Sequence, residues 1–245
     1  MKKLLWRAGR AFCAFVQNKV DKTCSKLYFL SMYLFMFLLL PLILAAWCFY
    51  KKDSHLIPAI FLGIIVAVLV CGFKVFFLYS HRIIPYSFKS NVLFLLVRQT
   101  LLPVVLLYGI FFAWSKDEIS YKIEAFFPLL LSFYMLYLPY TIISTAEGLY
   151  TTFPLFVKPV LFVVMIFSLG LGAKHIEKTV KNKKYVFTAV WIIICLVSVL
   201  VPSLLESMYI LDMNYLFVLL LSAVYSAVLP VLFILSKLGV LTVKD

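Results

Sequence analysis

The stretch 126–173 reads FFPLLLSFYMLYLPYTIISTAEGLYTTFPLFVKPVLFVVMIFSLGLGA. It is apolar enough for a membrane and long enough for two crossings of roughly 30 Å of hydrocarbon. Its middle is polar, with Ser144, Thr145, Glu147, Gly148, Thr151 and Thr152. Four prolines punctuate it, Pro128, Pro139, Pro154 and Pro159. How this stretch meets the bilayer sets the topology of everything after it.

The rest of the chain agrees with a membrane setting. Of 245 residues, 65% are hydrophobic and 13% charged, and the mean hydropathy is +1.08. Several apolar runs reach the length of a transmembrane helix. Backbone polar groups in lipid must be satisfied within the segment, so these runs are helices. They alternate too little for a lipid-facing barrel. The expected fold is all-α: a polytopic helical membrane protein of six full spans plus one re-entrant or interfacial segment, with seven spans as the alternative.

Residues 1–26 form an N-terminal segment of their own, and 27–245 a single transmembrane domain. At 100° per residue, Lys3, Arg7 and Arg10 fall opposite Leu5, Ala8, Phe12, Phe15 and Val16, the pattern of a basic amphipathic helix on a membrane surface. The two arginines interrupt the apolar core a signal peptide needs. The predicted spans are 27–50, 56–79, 92–114, one or both halves of 126–173, 185–205 and 215–236. Residues 206–214 read as a short acidic connection.

Lysine and arginine counts separate the two topologies. Seven crossings with the N-terminus inside put nine of these residues in inner loops and eleven in outer ones. A single crossing by 126–173 gives sixteen inside and four outside. The positive-inside rule favours the second count, driven by the five lysines of 174–184. Asp53, Asp117, Glu118, Glu124 and Glu206 then all lie outside. The half 126–144, with Tyr134, Tyr137 and Tyr140, looks the more interfacial. A faint internal echo near a spacing of one hundred pairs Leu30-Ser31-Met32-Tyr33 with Leu131-Ser132-Phe133-Tyr134 and Gly72 with Gly172. An inverted three-helix repeat of that kind needs seven spans.

The net charge of +13 is that of basic loops facing anionic lipid at the cytoplasmic face, and no nucleic acid is implied. Cys13, Cys24, Cys48, Cys71 and Cys195 are scattered, without a CxxC or a metal spacing. His55, His81 and His175 stand apart, and no Walker A, GxGxxG or HExxH motif occurs. No metal or other cofactor and no catalytic residue is expected, which leans against an enzyme.

Ionisable residues inside apolar spans are costly and are the candidate site. Lys74 and Arg98 lie near the inner ends of their helices. They either snorkel to the headgroups or face each other around a pocket for an anionic lipid head or solute, with Gln99 as a hydrogen-bond partner. Glu147 sits in the polar break, as a buried proton carrier or a solvated loop residue. Lys158 could pair with Glu147 if the break folds back. Substrate or lipid binding is thus expected at Lys74, Arg98, Gln99, Glu147 and Lys158. The reading is of an inner-membrane protein with a cytoplasmic N-terminus, an assembly, scaffold or lipid-interacting subunit working with other membrane subunits. The alternative is a small transporter or channel subunit for an anionic or neutral solute.

Overall fold

A computed structural model of the chain describes residues 30–51, 56–78, 87–114, 119–144 and 152–237. The basic segment 1–26 and Glu147 lie outside the described residues. Among these residues there is no strand, and the chain is all-helical. Helix α1 is Leu30–Lys51 and α2 Ile57–Leu78. Helix α3 spans 88–114 in three parts, an α-helical Phe88–Leu95, a π-helical Leu96–Leu101 and an α-helical Leu102–Trp114. Helix α4 is Ile119–Ser144. Helix α5 is Phe153–Lys181, opening on a π turn Phe153–Val157. Helices α6 and α7 are Tyr185–Ile210 and Tyr215–Lys237.

Six of these, α1 to α6, are long and apolar enough to cross a membrane, and α7 carries a shorter apolar stretch, Tyr215–Val228. Six long spans and one lesser segment are thus present, as expected. The shorter apolar stretch belongs to the last helix, which as a whole runs 23 residues, and not to 126–173. Both halves of 126–173 are long helices, so neither is a stub.

Contacts between named residues give the helix directions. Trp47 meets Phe127 at 4.5 Å while Phe35 meets Phe156 at 4.6 Å. Phe111 packs on Phe126 at 5.4 Å, and the Gln99 backbone carbonyl faces Tyr134. Phe127 meets Phe167, and Tyr134 meets Phe162. Lys158 faces Glu206, and His175 stacks on Trp191 at 4.4 Å. Tyr209 lies beside Tyr215, and the Tyr225 hydroxyl reaches the Ser198 carbonyl. Consecutive helices therefore alternate in direction, and α4 and α5 form an antiparallel pair.

That pair is the centre of the bundle. The apolar windows of α4 and α5 are 78% and 72% buried, against 22% to 39% for the other four long helices. Phe133, Tyr134, Tyr137 and Leu129 to Leu131 are fully enclosed. Tyr134 and Tyr137, expected at the interface, are core residues. The outer helices turn Phe37, Phe61, Phe76, Ile193 and Leu220 outward, the apolar surface a lipid-facing helix requires. The burial also breaks the echo noted above: α4 and α5 are central, while their counterparts α1 and α2 are peripheral.

Close approach of α2 to α4 depends on Gly63. A Cβ there would meet the Leu129 carbonyl oxygen at 2.6 Å and the Ser132 hydroxyl. Small residues at helix contacts replace the hydrophobic drive that lipid cannot provide. Gly170 plays the same part toward Phe127, where a Cβ would come within 2.6 Å of the ring.

Candidate functional site

Proline chemistry builds the site. The Leu102 amide bonds the Val97 carbonyl, an i to i−5 bond that closes the π turn of α3. The next residue is Pro103, which has no amide hydrogen and whose ring crowds the preceding turn. The Arg98 carbonyl, which that amide would have served in the same register, is left without a backbone donor. Helix α5 repeats the arrangement. The Lys158 amide bonds the Phe153 carbonyl, and Pro159 follows. Single π turns inside helices recur at functional sites.

Side chains from two neighbouring helices fill the gap in α3. Lys74 Nζ on α2 donates to the Arg98 carbonyl at 3.0 Å and to the Tyr137 hydroxyl on α4. The Tyr137 hydroxyl donates to the same Arg98 carbonyl at 2.8 Å. One turn earlier on α4, the Tyr134 hydroxyl donates to the Gln99 carbonyl at 3.4 Å. The Lys74 ammonium also lies 4.4 Å from the centre of the Tyr137 ring. Lys74 is buried, so it turns into the bundle and does not snorkel. The Arg98 side chain is half-buried, with its guanidinium carbon 5.3 Å from the Phe94 ring. Arg98 meets Lys74 through its backbone carbonyl.

On the other face of the π turn, Gln99 and Thr100 meet α6. Glu206 Oε1 accepts from Lys158 Nζ at 2.7 Å and from Gln99 Nε2 at 3.2 Å. The Lys158 and Glu206 side chains keep only 3% and 9% of their surface exposed. Thr100 Oγ1 lies 3.4 Å from Ser203 Oγ, one turn from Glu206. The carboxylate needs a donor, which fixes the Gln99 amide orientation and leaves its Oε1 buried without a partner. Higher on α3, Asn91 is fully buried and neither polar atom of its amide has a partner. It sits two turns before Gln99 on the same helical face.

The structure thus joins Lys74, Gln99 and Lys158 and the backbone of Arg98 in one network. It pairs Lys158 with Glu206. Glu206, assigned from sequence to an outer acidic connection, lies inside α6 one turn before its end. Its missed signal is the spacing Ser203, Glu206, Ser207, which puts three polar residues on one helical face; all three are buried.

The centre lies close to one end of the bundle. At 1.5 Å per residue, Lys74, Lys158 and Glu206 sit roughly 6–8 Å from the ends of their helices. The opposite end is held by different chemistry, including the His175–Trp191 stack and a 2.8 Å bond between the Thr188 and Thr179 hydroxyls. Among the described residues no three of His, Cys, Asp and Glu come together as a metal-ligand set. Compared with protein-family models, curated proteins and solved structures, the chain matches none.

Proposed function

We propose that this multi-pass membrane protein is a small transport protein, or the solute-binding subunit of one, whose centre is Lys158, Glu206 and Gln99. The buried Lys158–Glu206 pair carries the reading. Enclosing an ion pair costs desolvation that the attraction barely repays, and ionisable groups at membrane depth usually mark ion or substrate paths. The pair joins α5 and α6 and is bridged to α3 by Gln99, and two of these three helices are broken by π turns at that level. Transporters use interrupted helices in the same way, freeing backbone groups around a polar site.

The second reading is an assembly or lipid-interacting subunit. It rests on the basic loops and outward apolar faces. Those faces are what any lipid-exposed helix presents, so they favour this role less specifically than the pair favours transport. In either role we place the protein in a bacterial-type inner membrane with its N-terminus cytoplasmic. Anionic lipid then meets the basic segment 1–26, and other membrane subunits are its partners. The alternating helix directions support seven crossings.

The test is water access to the centre. Ser203→Cys is introduced into a cysteine-free protein in sealed vesicles and treated with a membrane-impermeant thiol reagent. A transporter exposes the centre in part of its cycle, so the thiol at position 203 reacts, and Glu206→Gln changes the rate. No reaction at position 203, with an Asn182→Cys control labelled, rules the transport reading out.

A further inference from the structure

The network around Arg98 and Gln99 holds more positive than negative charge. Lys74, Arg98 and Lys158 face a single carboxylate, Glu206, among the described residues. Lys158 takes that carboxylate. Lys74 is left with neutral oxygens only, the Arg98 carbonyl and the Tyr137 hydroxyl. An ammonium has three donor hydrogens, and two are used. The Arg98 guanidinium has the Phe94 ring beside it and no carboxylate within ion-pair distance among the described residues. A buried cation without a counter-charge is among the most expensive groups a bundle can hold.

We infer that the Lys74–Arg98 side of the centre binds an oxyanion group, a carboxylate or a phosphate. The inference rests on the proposed solute-binding centre and names the class of group it takes. Three features fit. The ammonium is fixed in place by two oxygens and the Tyr137 ring, so its remaining donor is preorganised. Arg98, on the neighbouring helix and already bonded to Lys74 through its carbonyl, presents a guanidinium suited to planar oxyanions. Lys74 lies roughly 6 Å from the end of α2 at 1.5 Å per residue, toward the end of the bundle from which an anion would enter. The same chemistry serves a free solute and a lipid headgroup.

The experiment is thermal unfolding of the full chain, followed by tryptophan fluorescence, at constant ionic strength. Inorganic phosphate and acetate are the soluble probes in neutral detergent. Nanodiscs of phosphatidylcholine with or without phosphatidylglycerol are the lipid probe. An oxyanion raises Tm by roughly 5 °C at saturation. The rise disappears in Lys74→Met and persists in Lys74→Arg. Arg98→Gln, a change at a half-buried side chain, weakens it and serves if Lys74→Met does not fold. A response to phosphate or acetate assigns a solute. A response to phosphatidylglycerol alone assigns a lipid headgroup. No shift with any probe overturns the inference, as does an equal shift in wild type, Lys74→Met and Arg98→Gln. Loss of the anion response with Ser203→Cys still labelled leaves a transport centre that is not for anions. Anion binding with Ser203→Cys unreactive leaves an anion-binding membrane protein that does not transport.

Discussion

Glu206 Oε1 accepts from Lys158 and Gln99 at once, so its two partners have unequal claims on stability. Replacing one member of a buried pair leaves the other charged and enclosed, at a cost of about 3–5 kcal/mol. Lys158→Met and Glu206→Leu should each lower unfolding stability by that amount, read as a lower denaturant midpoint. The double variant should recover most of it, because both desolvation costs disappear together. Equal losses in the double and single variants would mean that the pair is worth far more than its desolvation. Asn91 offers the opposite sign. Its amide is enclosed and unpartnered, so Asn91→Leu keeps the branched shape and the number of side-chain heavy atoms and removes an unmet hydrogen-bonding group worth about 1–3 kcal/mol. Its unfolding midpoint should rise.

At the scale of elements, two glycines and two prolines matter most. Gly63→Ala pushes a methyl group onto the Leu129 carbonyl in the interface between α2 and α4. Overpacking of this kind costs about 1–3 kcal/mol, read as a lower unfolding midpoint. Pro103→Ala restores a backbone donor in α3 and removes a helix-interior proline, worth about 3 kcal/mol. The π turn should close toward α-helix, and the Arg98 carbonyl should exchange Lys74 for a backbone amide. The expected result is a protein that is more stable but has a weaker thermal response to phosphate or phosphatidylglycerol. Lys183 and Asp212 hold left-handed backbone, φ 56° and 51°, just past the ends of α5 and α6. Glycine adopts that conformation without the crowding of a Cβ. Lys183→Gly and Asp212→Gly should therefore each raise Tm slightly.

The helices are legible in the sequence because each is an apolar run with polar ends. Their content is harder to read. Tyr134 and Tyr137 resemble an interfacial belt, since aromatic hydroxyls sit there in most membrane proteins. Here the hydroxyls instead reach carbonyls that Pro103 and the π turn leave open, a partnership between α3 and α4 with no local trace. Lys158 is recognisable as a buried cation by its apolar neighbours. Its partner is not, because Glu206 lies 48 residues away and follows an apolar run like a loop-opening residue. The signal that is present in the sequence and easily passed over is the proline beside each polar residue: Pro103 after Gln99, and Pro159 directly after Lys158.

The whole molecule is an alternating bundle around α4 and α5, and this bears on topology. Charge counting favours one crossing by 126–173, whereas the helices of that stretch run antiparallel over full length. Seven crossings place the turn at 182–184 and the connection at 211–214 on opposite faces. With the N-terminus inside, an impermeant reagent applied to intact cells should then label Asn182→Cys and leave Asn214→Cys unlabelled. Labelling of Asn214→Cys in place of Asn182→Cys would mean that 126–173 crosses once.

The central position of α4 and α5 also bears on how the protein is made. Synthesis runs from the N-terminus, so α1, α2 and α3 enter the bilayer before the pair they enclose exists. Until then Lys74 lacks the Tyr137 hydroxyl that holds it in the finished bundle. Helix α4, the least apolar of the six long helices, must then insert between segments already in place. A ribosome-bound chain ending before α4 is therefore a collection of separate helices. The protein acquires its interior only when synthesis is more than half complete.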